Sequence, residues 1–171
     1  MTVRTRRGLR AALLRAGLWL VAGGWLLAAQ TAPAPSPPPA KPSPANKCPV
    51  CGMFVAPYPD FLAAVVFRDG ATAYFDGCKD MFRFVFAPET YLPGRRRADM
   101  ISFWVTDYYS LKWVDGAAAF FVRGSDILGP MGHELIPFAK LEEAKQFVVD
   151  HKGRPPLRFA EVTPDVLRDI D

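Results

Sequence analysis

Two short segments of the chain place cysteine and methionine at spacings that suit a metal site. The first is Cys48-Pro-Val-Cys51-Gly-Met53, in which a thiol and a thioether stand two residues apart. In an extended chain, residues i and i+2 point to the same side, so the side chains of Cys51 and Met53 could converge on one ion. Soft sulfur donors favour Cu(I) over hard or borderline ions. The segment therefore indicates a candidate Cu(I) site, with Cys48 as a further candidate ligand.

The same cysteines are open to other interpretations. A Cys-x-x-Cys pair outside the cytoplasm is also typical of a disulfide or of a thiol redox pair. A zinc site would take two such pairs, and the chain has only three cysteines, of which Cys78 stands alone. In the structural alternative, Met53 simply lies in the core. Spacing alone leaves the copper, redox and structural interpretations open.

The second segment is the glycine-rich stretch from Gly124 to Phe138, which contains Met131 and His133. Glycines and a proline flank Met131, which predicts a tight loop rather than a regular core element. A thioether and an imidazole are both acceptable copper ligands. The alternative is that Met131 covers the core and His133 lies on the surface. Two sulfur-bearing segments in one chain favour the ligand interpretation, and the predicted metal ligands are Cys51, Met53, Met131, Cys48 and His133.

A third segment, Tyr74 to Phe82, contains the remaining cysteine. Cys78 is predicted at the start of a helix, where the helix dipole would stabilise a thiolate. A plain buried cysteine is the first interpretation, and a third metal ligand or a disulfide partner are the others. We expect Asp76 to be the helix N-cap, and Met81 to lie on the apolar face of the helix.

Apolar periodicity predicts a mixed architecture for the rest of the chain. The first half reads strand, turn, strand, helix, strand, over residues 62–68, 69–70, 71–75, 78–87 and 101–105. The second half reads strand, strand, helix, strand, over residues 117–122, 135–138, 141–149 and 157–162, and a last helix begins with Thr163 as N-cap and Pro164 at its first position. The predicted fold class is α+β, with tandem ββαβ units.

The N-terminal residues predict export. Residues 1–30 begin with several arginines and continue with an uncharged apolar run from Ala16 to Ala29, a pattern typical of a signal or anchor helix. The basic end would face the cytoplasm, and the rest of the chain would lie in the cell envelope, on the outer face of the cytoplasmic membrane or in the periplasm. Residues 31–47, of which seven are proline, predict a semi-rigid linker. Residues 48–171 are then one domain of ordinary size.

Several function classes find no support in the sequence. The chain contains only two histidines, and it has no HExxH motif, P-loop or dinucleotide-binding fingerprint. Its formal net charge of +4 includes the basic N-terminal segment, and the one basic cluster after it is Arg95-Arg96-Arg97. We therefore expect neither an enzyme nor a nucleic-acid-binding protein.

In its motifs, the sequence resembles the NosL family, the accessory proteins of nitrous oxide reductase. The residues that carry the resemblance are Cys48 to Met53, Tyr74-Phe75-Asp76, Lys79 to Phe82, Val105 to Tyr108, Gly124 to Asp126, Gly129 to Gly132, Glu134 to Phe138, and Phe147 with Asp150-His151. The resemblance implies two ββαβ units, related to one domain of organomercurial lyase. In this chain the family's Cys-x-Met pair falls on Cys51 and Met53, and its later methionine falls on Met131, with His133 close by.

The resemblance also implies a function and partners. The family is understood as Cu(I) metallochaperones that supply the tetranuclear copper-sulfide centre of nitrous oxide reductase. The implied partners are the nitrous oxide reductase apoprotein, and the copper-supplying or assembly proteins of the envelope, with the membrane contacted through the N-terminal segment. Family members often have a lipoprotein cysteine soon after the signal. In this chain an apolar segment and a proline-rich linker stand in its place.

Overall fold

A computed structural model describes residues 36–170. The predicted signal or anchor segment, residues 1–30, and the start of the proline-rich linker lie outside the described residues. Within residues 36–170, no helix combines the length and the apolar character that crossing a membrane requires.

A four-stranded antiparallel sheet organises the first half of the domain. Strands β1 (Ala63–Phe67) and β2 (Thr72–Phe75) form a hairpin, and β3 (Met100–Thr106) and β4 (Trp113–Asp115) complete the order β2-β1-β3-β4. The predicted turn at Asp69-Gly70 joins the first two strands, and Gly70 takes φ +84°, which suits glycine because it has no Cβ. The central strand β1 is buried on nearly its whole length, so both faces of this sheet are covered.

Helix α1 (Cys78–Phe86) follows β2 and packs its apolar side on the sheet. Its residues Met81, Phe82, Phe84 and Val85 are all buried. The ring of Phe84 lies 5.3 Å from that of Phe75 in β2 and 6.1 Å from that of Phe67 in β1, measured between centroids. The helix ends before Pro88, as predicted, and Pro88 opens the short helix α2 (Pro88–Tyr91). These contacts fix α1 relative to strands β1 and β2.

The second half contains a smaller antiparallel sheet. Strand β5 (Phe120–Val122) is followed by a hairpin of β6 (Leu128–Gly129) and β7 (Gly132–His133), and then by β8 (Ile136–Phe138), helix α3 (Leu141–Asp150), β9 (Leu157–Arg158) and helix α4 (Pro164–Arg168). The three-stranded sheet has the order β8-β5-β9. Each of the two larger sheets thus places its first strand in the centre, between the second strand and a strand that follows a helix.

The α+β class with antiparallel sheets agrees with the sequence prediction, and three details differ. The strand predicted over 117–122 begins at Phe120, because Gly116 to Ala119 form a turn held by backbone hydrogen bonds. The strand predicted over 157–162 ends at Arg158, because residues 159–161 form a turn of 3₁₀ helix. Strand β4 and the β6–β7 hairpin were not predicted. At α4 the predicted cap is confirmed, since the Thr163 hydroxyl accepts from the Val166 amide.

The described part of the proline-rich segment, residues 36–47, contacts the four-stranded sheet. The Ser36 hydroxyl lies 2.6 Å from the Ser102 hydroxyl in β3, and the Tyr74 hydroxyl in β2 donates to the Ala40 carbonyl at 2.8 Å. Lys47 also forms an isolated bridge with Phe54. These residues therefore lie against the domain that was predicted to begin at Cys48, which their composition did not indicate.

Candidate metal site

Four side chains meet beside the first turn of α1 and form what we call the cysteine–aspartate cluster: Cys48, Cys51, Asp76 and Asp80. One potential ligand atom from each lies within 4.8 Å of the other three. The Cys48 thiol donates to Oδ2 of Asp80 at 3.4 Å, and the Cys51 thiol donates to Oδ1 of Asp76 at 3.2 Å. Each sulfur is therefore aligned with its own carboxylate.

A tight turn presents the two cysteines. The Gly52 amide donates to the Cys48 carbonyl at 2.9 Å, and the Cys48 amide donates to the Met53 carbonyl at 2.8 Å, which closes the loop. Gly52 takes φ +78°, a conformation that residues with a Cβ rarely adopt. The chain between Cys51 and Met53 is thus not extended, and the i, i+2 argument drawn from the sequence was wrong for this backbone. The turn instead brings Cys48 and Cys51 together.

The two aspartates come from the junction between β2 and α1. Asp76 follows the last residue of β2, and Asp80 lies in the first turn of α1. Both carboxylates are almost completely buried. The prediction that Asp76 caps α1 was wrong, because the N-cap residue is Gly77 and the Asp76 carboxylate points to Cys51 instead. Asp80 lies within the segment from Tyr74 to Phe82, for which the sequence predicted no metal ligand other than Cys78.

The two carboxylates differ in how their charge is balanced. Oδ1 of Asp80 forms an ion pair with Arg83 at 3.0 Å, while its Oδ2 accepts from Cys48. Oδ1 of Asp76 accepts from Cys51, and its buried Oδ2 has no hydrogen-bond partner among residues 36–170. A buried carboxylate oxygen without a partner is costly, which indicates that a further group or ion completes this site.

Burial keeps both thiols protonated when no metal is bound. Burial, followed by smaller contributions from the aspartates, raises the pKa of Cys48 far above its ordinary value. Burial also raises the pKa of Cys51 to about 11, and the hydrogen bond to Asp76 adds to the shift. A metal that binds sulfur must displace these protons. A soft, thiophilic cation suits this donor set, because the two sulfurs are soft donors that can bind it.

The other predicted ligands are two methionines and a histidine, Met53, Met131 and His133. Met53 is half-buried at the end of the cysteine turn, and Met131 is 42% exposed at the tip of the β6–β7 hairpin. His133 is exposed in β7 and contributes no atom to the cluster. The structure therefore brings Cys48 and Cys51 together, and the roles of Met53, Met131 and His133 stay predictions. The cluster also contains Asp76 and Asp80, which were not predicted as part of a metal site. The available sequence signal was two aspartates four residues apart, on either side of Cys78 at the predicted start of a helix.

Cys78 belongs to the core, as its first interpretation had it. Its side chain is 1% exposed, and it packs in the main apolar cluster. Burial, with a smaller contribution from the charge of Glu134, raises its pKa well above the ordinary value. Cys78 is therefore a protonated thiol and not a thiolate stabilised by the helix dipole.

Comparison with known proteins gives one family. The NosL family model matches residues 39–167. The copper-binding lipoprotein NosL of Stutzerimonas stutzeri is 27% identical over 132 residues, which cover 72% of this chain and 65% of that protein. This chain thus spans slightly less than two thirds of the length of that relative.

Two solved structures are similar to this chain. The crystal structure of the copper chaperone NosL from Shewanella denitrificans matches with a TM-score of 0.64 and 23% identity, over 76% of this chain and 99% of that chain. The solution structure of apo-NosL from Achromobacter cycloclastes matches with a TM-score of 0.45 and 24% identity, over 61% of this chain and 87% of that chain. The first of these likenesses shows a shared fold.

Proposed function

Because this chain belongs to the NosL family, we propose that it is a copper metallochaperone, which binds Cu(I) and passes it on and does not catalyse a reaction. The observation that carries the proposal is the cysteine–aspartate cluster, in which the buried thiol of Cys48 and the half-buried thiol of Cys51 lie within 4.8 Å of each other. The relatives named as copper-binding and as a copper chaperone support the choice of metal. The monovalent state is supported by the donors, since thiolate and thioether sulfur favour Cu(I).

Loading is an exchange of cations at sulfur. As Cu(I) binds, the thiols of Cys48 and Cys51 each lose a proton to the solvent and give up the hydrogen bonds that they donate to Asp80 and Asp76. The thiolates then hold the ion, and Asp80 keeps its ion pair with Arg83. The family's Cys-x-Met pattern adds the thioether of Met53, and Met131 would supply another from the hairpin. Asp76 and Asp80 offer hard oxygen donors, which do not compete with sulfur for Cu(I).

Release begins at the more accessible sulfur atoms. Cys48 is 1% exposed, whereas Cys51 and Met53 are half-buried and Met131 is largely accessible. An incoming donor from a partner protein can therefore replace the outer ligands first, one at a time, while Cys48 retains the ion. Stepwise exchange of this kind keeps Cu(I) out of free solution throughout the transfer.

The finer assignments are proposals supported by the family and by the N-terminal sequence. We infer delivery of copper for the tetranuclear copper-sulfide centre of nitrous oxide reductase, with the apoenzyme and envelope assembly proteins as partners. The basic and apolar N-terminal segment supports a location at the outer face of the cytoplasmic membrane or in the periplasm. The repeated strand order supports the interpretation of the two larger sheets as tandem ββαβ units.

A thiol redox function is the second candidate, because Cys48 and Cys51 are both free and their sulfur atoms lie close together. Against it, the nucleophile of disulfide exchange is a thiolate, and burial raises the pKa of both thiols. The cluster also places its carboxylates against the sulfurs, which disfavours thiolate formation. The geometry therefore supports metal binding better than redox exchange.

An anaerobic Cu(I) titration against a competing chelator tests the proposal. We expect Cys51→Ala and Met53→Ala each to weaken binding at least about tenfold, which corresponds to about 1.4 kcal/mol. Cys78→Ala is the matched control, because it removes a thiol outside the cluster and should leave the affinity unchanged. Unchanged affinity in both test variants would refute the copper proposal. Negligible metal uptake, together with thiols that oxidise reversibly as a pair, would establish the redox alternative.

A further inference from the structure

A buried glutamate from the second half of the chain holds the first turn of α1. Oε1 of Glu134 accepts from the amide of Lys79 at 2.5 Å and from its own neighbour, the amide of Leu135, at 2.8 Å. Glu134 is 3% exposed. The first amides of a helix have no partner within it, so Glu134 serves as the cap that Asp76 does not provide.

The approach of Glu134 depends on a glycine. A Cβ added to Gly77 would lie 1.9 Å from Oε2 of Glu134, so a larger residue at this position would displace the carboxylate. A Cβ added to Gly129 in β6 would lie 3.1 Å from Cβ and Cγ of the same glutamate. Glu134 is thus enclosed between the start of α1 and the β6–β7 hairpin.

A buried lysine forms the connection in the opposite direction. The Lys79 ammonium donates to the carbonyl of Met131 at 3.1 Å and to that of Ile170 at 3.4 Å. Lys79 is 3% exposed, and its charge also attracts the Glu134 carboxylate. Buried charges are retained only where partners compensate for lost hydration, so this link has a defined geometry. It joins the tip of the hairpin to the first turn of α1.

The same turn of α1 carries part of the cysteine–aspartate cluster. Asp80 follows Lys79 directly and accepts the hydrogen bond from Cys48. One rigid helical turn therefore contacts the cluster through Asp80 and the tip of the hairpin through Lys79. The tip of the hairpin and the cluster are therefore joined to the same turn of α1.

We propose that Lys79 and Glu134 are positioning residues, which hold the hairpin so that the Met131 thioether stays within reach of the copper bound at the cluster. This inference rests on the proposed function, in which Met131 contributes a ligand. A thioether on a fixed hairpin binds with a higher effective concentration than one on a hairpin that moves freely. Lys79 and Glu134 themselves need not touch the metal.

The test combines Lys79→Leu with methionine methyl NMR and Cu(I) titration. The leucine keeps much of the side-chain volume and removes both hydrogen bonds of the ammonium group. Lys145→Leu is the matched control, because Lys145 is an exposed lysine paired with Glu142. With ¹³C-methyl methionine, the Met131 signal should change in Lys79→Leu, while the signal of Met81, which is fully buried, should stay in place and report an intact core.

The affinity data separate positioning from general damage. We expect Lys79→Leu to weaken Cu(I) binding about fivefold or more in the native background and to add little in the Met131→Ala background, since both changes remove the same ligand. An equal loss in both backgrounds, or no loss, would overturn the inference. Unchanged Cu(I) binding in Met131→Ala, together with weaker binding in Cys51→Ala, would also overturn the inference. That result would leave the copper proposal standing. Unchanged binding in Cys51→Ala and Met53→Ala would instead refute the copper proposal itself.

Disruption of the core in Lys79→Leu would be visible as a shift of the Met81 signal. Gly129→Ala then provides the second perturbation, because its Cβ presses on Glu134 from the hairpin side. The same dependence on Met131 is expected for this variant. A loss of affinity in Gly129→Ala that persists without Met131 would count against the positioning role.

Discussion

Replacing Gly77 by alanine should displace Glu134 from the start of α1. Gly77 has φ −167° and ψ 163°, an extended conformation that alanine adopts without strain, so the cost comes only from contact. The new Cβ would lie 1.9 Å from Oε2 and 2.8 Å from Cδ of Glu134, far inside van der Waals distance. Glu134 is buried, and the new Cβ is bonded directly to the backbone at residue 77. Neither group can therefore move away easily.

The magnitude follows from the hydrogen bonds that Glu134 makes. The carboxylate accepts from two backbone amides, and hydrogen bonds to a charged group contribute about 1.5–3 kcal/mol each. Loss of both, softened by partial relaxation, should lower the free energy of unfolding by about 3 kcal/mol. Urea unfolding at pH 8 measures this change, since Glu134, whose pKa burial raises to about 7, is then mostly ionised.

A double-mutant cycle gives the decisive control. Glu134→Ala removes the group that collides with the new Cβ, so Gly77→Ala should cost little in that background. Equal costs in both backgrounds, or a cost below about 0.5 kcal/mol for Gly77→Ala alone, would show that the contact between these two residues does not limit stability. The reasoning about the cap of α1 would then be refuted.

Two further predictions concern ionisation. Asp76→Asn should lower the pKa of Cys51 from about 11, because it removes the negative charge that helps to raise this pKa. Iodoacetamide at pH 8 should then alkylate Cys51 faster than in Asp60→Asn, a control at an exposed aspartate. An equal rate in the two variants would contradict the contact between Asp76 and Cys51. Glu134→Gln should flatten the pH dependence of stability. The pKa of Glu134 is raised from 4.5 to about 7, so the folded state binds the proton more tightly. The free energy of unfolding of the native chain should therefore fall by up to about 3 kcal/mol as pH rises from 4.5 through 7. Urea unfolding across this pH range measures the change, and the same pH dependence in Glu134→Gln would contradict the prediction.

Local signals made the first half of the fold predictable. Asp69-Gly70 between two β-branched and aromatic runs predicts a hairpin, and the apolar face of residues 78–87 with Pro88 behind it predicts α1. Strand β4 was missed because Trp113-Val114-Asp115 is too short to show alternation, and it forms by pairing with β3. The β6–β7 hairpin was missed because two-residue strands carry no periodicity, although Gly132 at φ +82° forms its turn.

The candidate site was predictable only where its residues are close in sequence. Cys48 and Cys51 were predicted together, because a Cys-x-x-Cys pair is local. Asp76 and Asp80 lie 25 and 32 residues from their cysteines, and only the packing of α1 against the cysteine turn brings them there. The i, i+2 argument for Met53 failed because it assumed an extended backbone, whereas Gly52 turns the chain.

Residues 36–47 lie on the four-stranded sheet, and this limits the reach of the segment. In polyproline geometry, twelve residues could otherwise span about 37 Å. Their contacts through Ser36, Ala40 and Lys47 hold the segment against the domain, so it does not extend away from it over that length. Residue 36 is therefore held at a defined point on the sheet, because its hydroxyl bonds to Ser102 in β3. The segment covers part of the sheet and does not act as a free spacer between residue 36 and the cysteine–aspartate cluster.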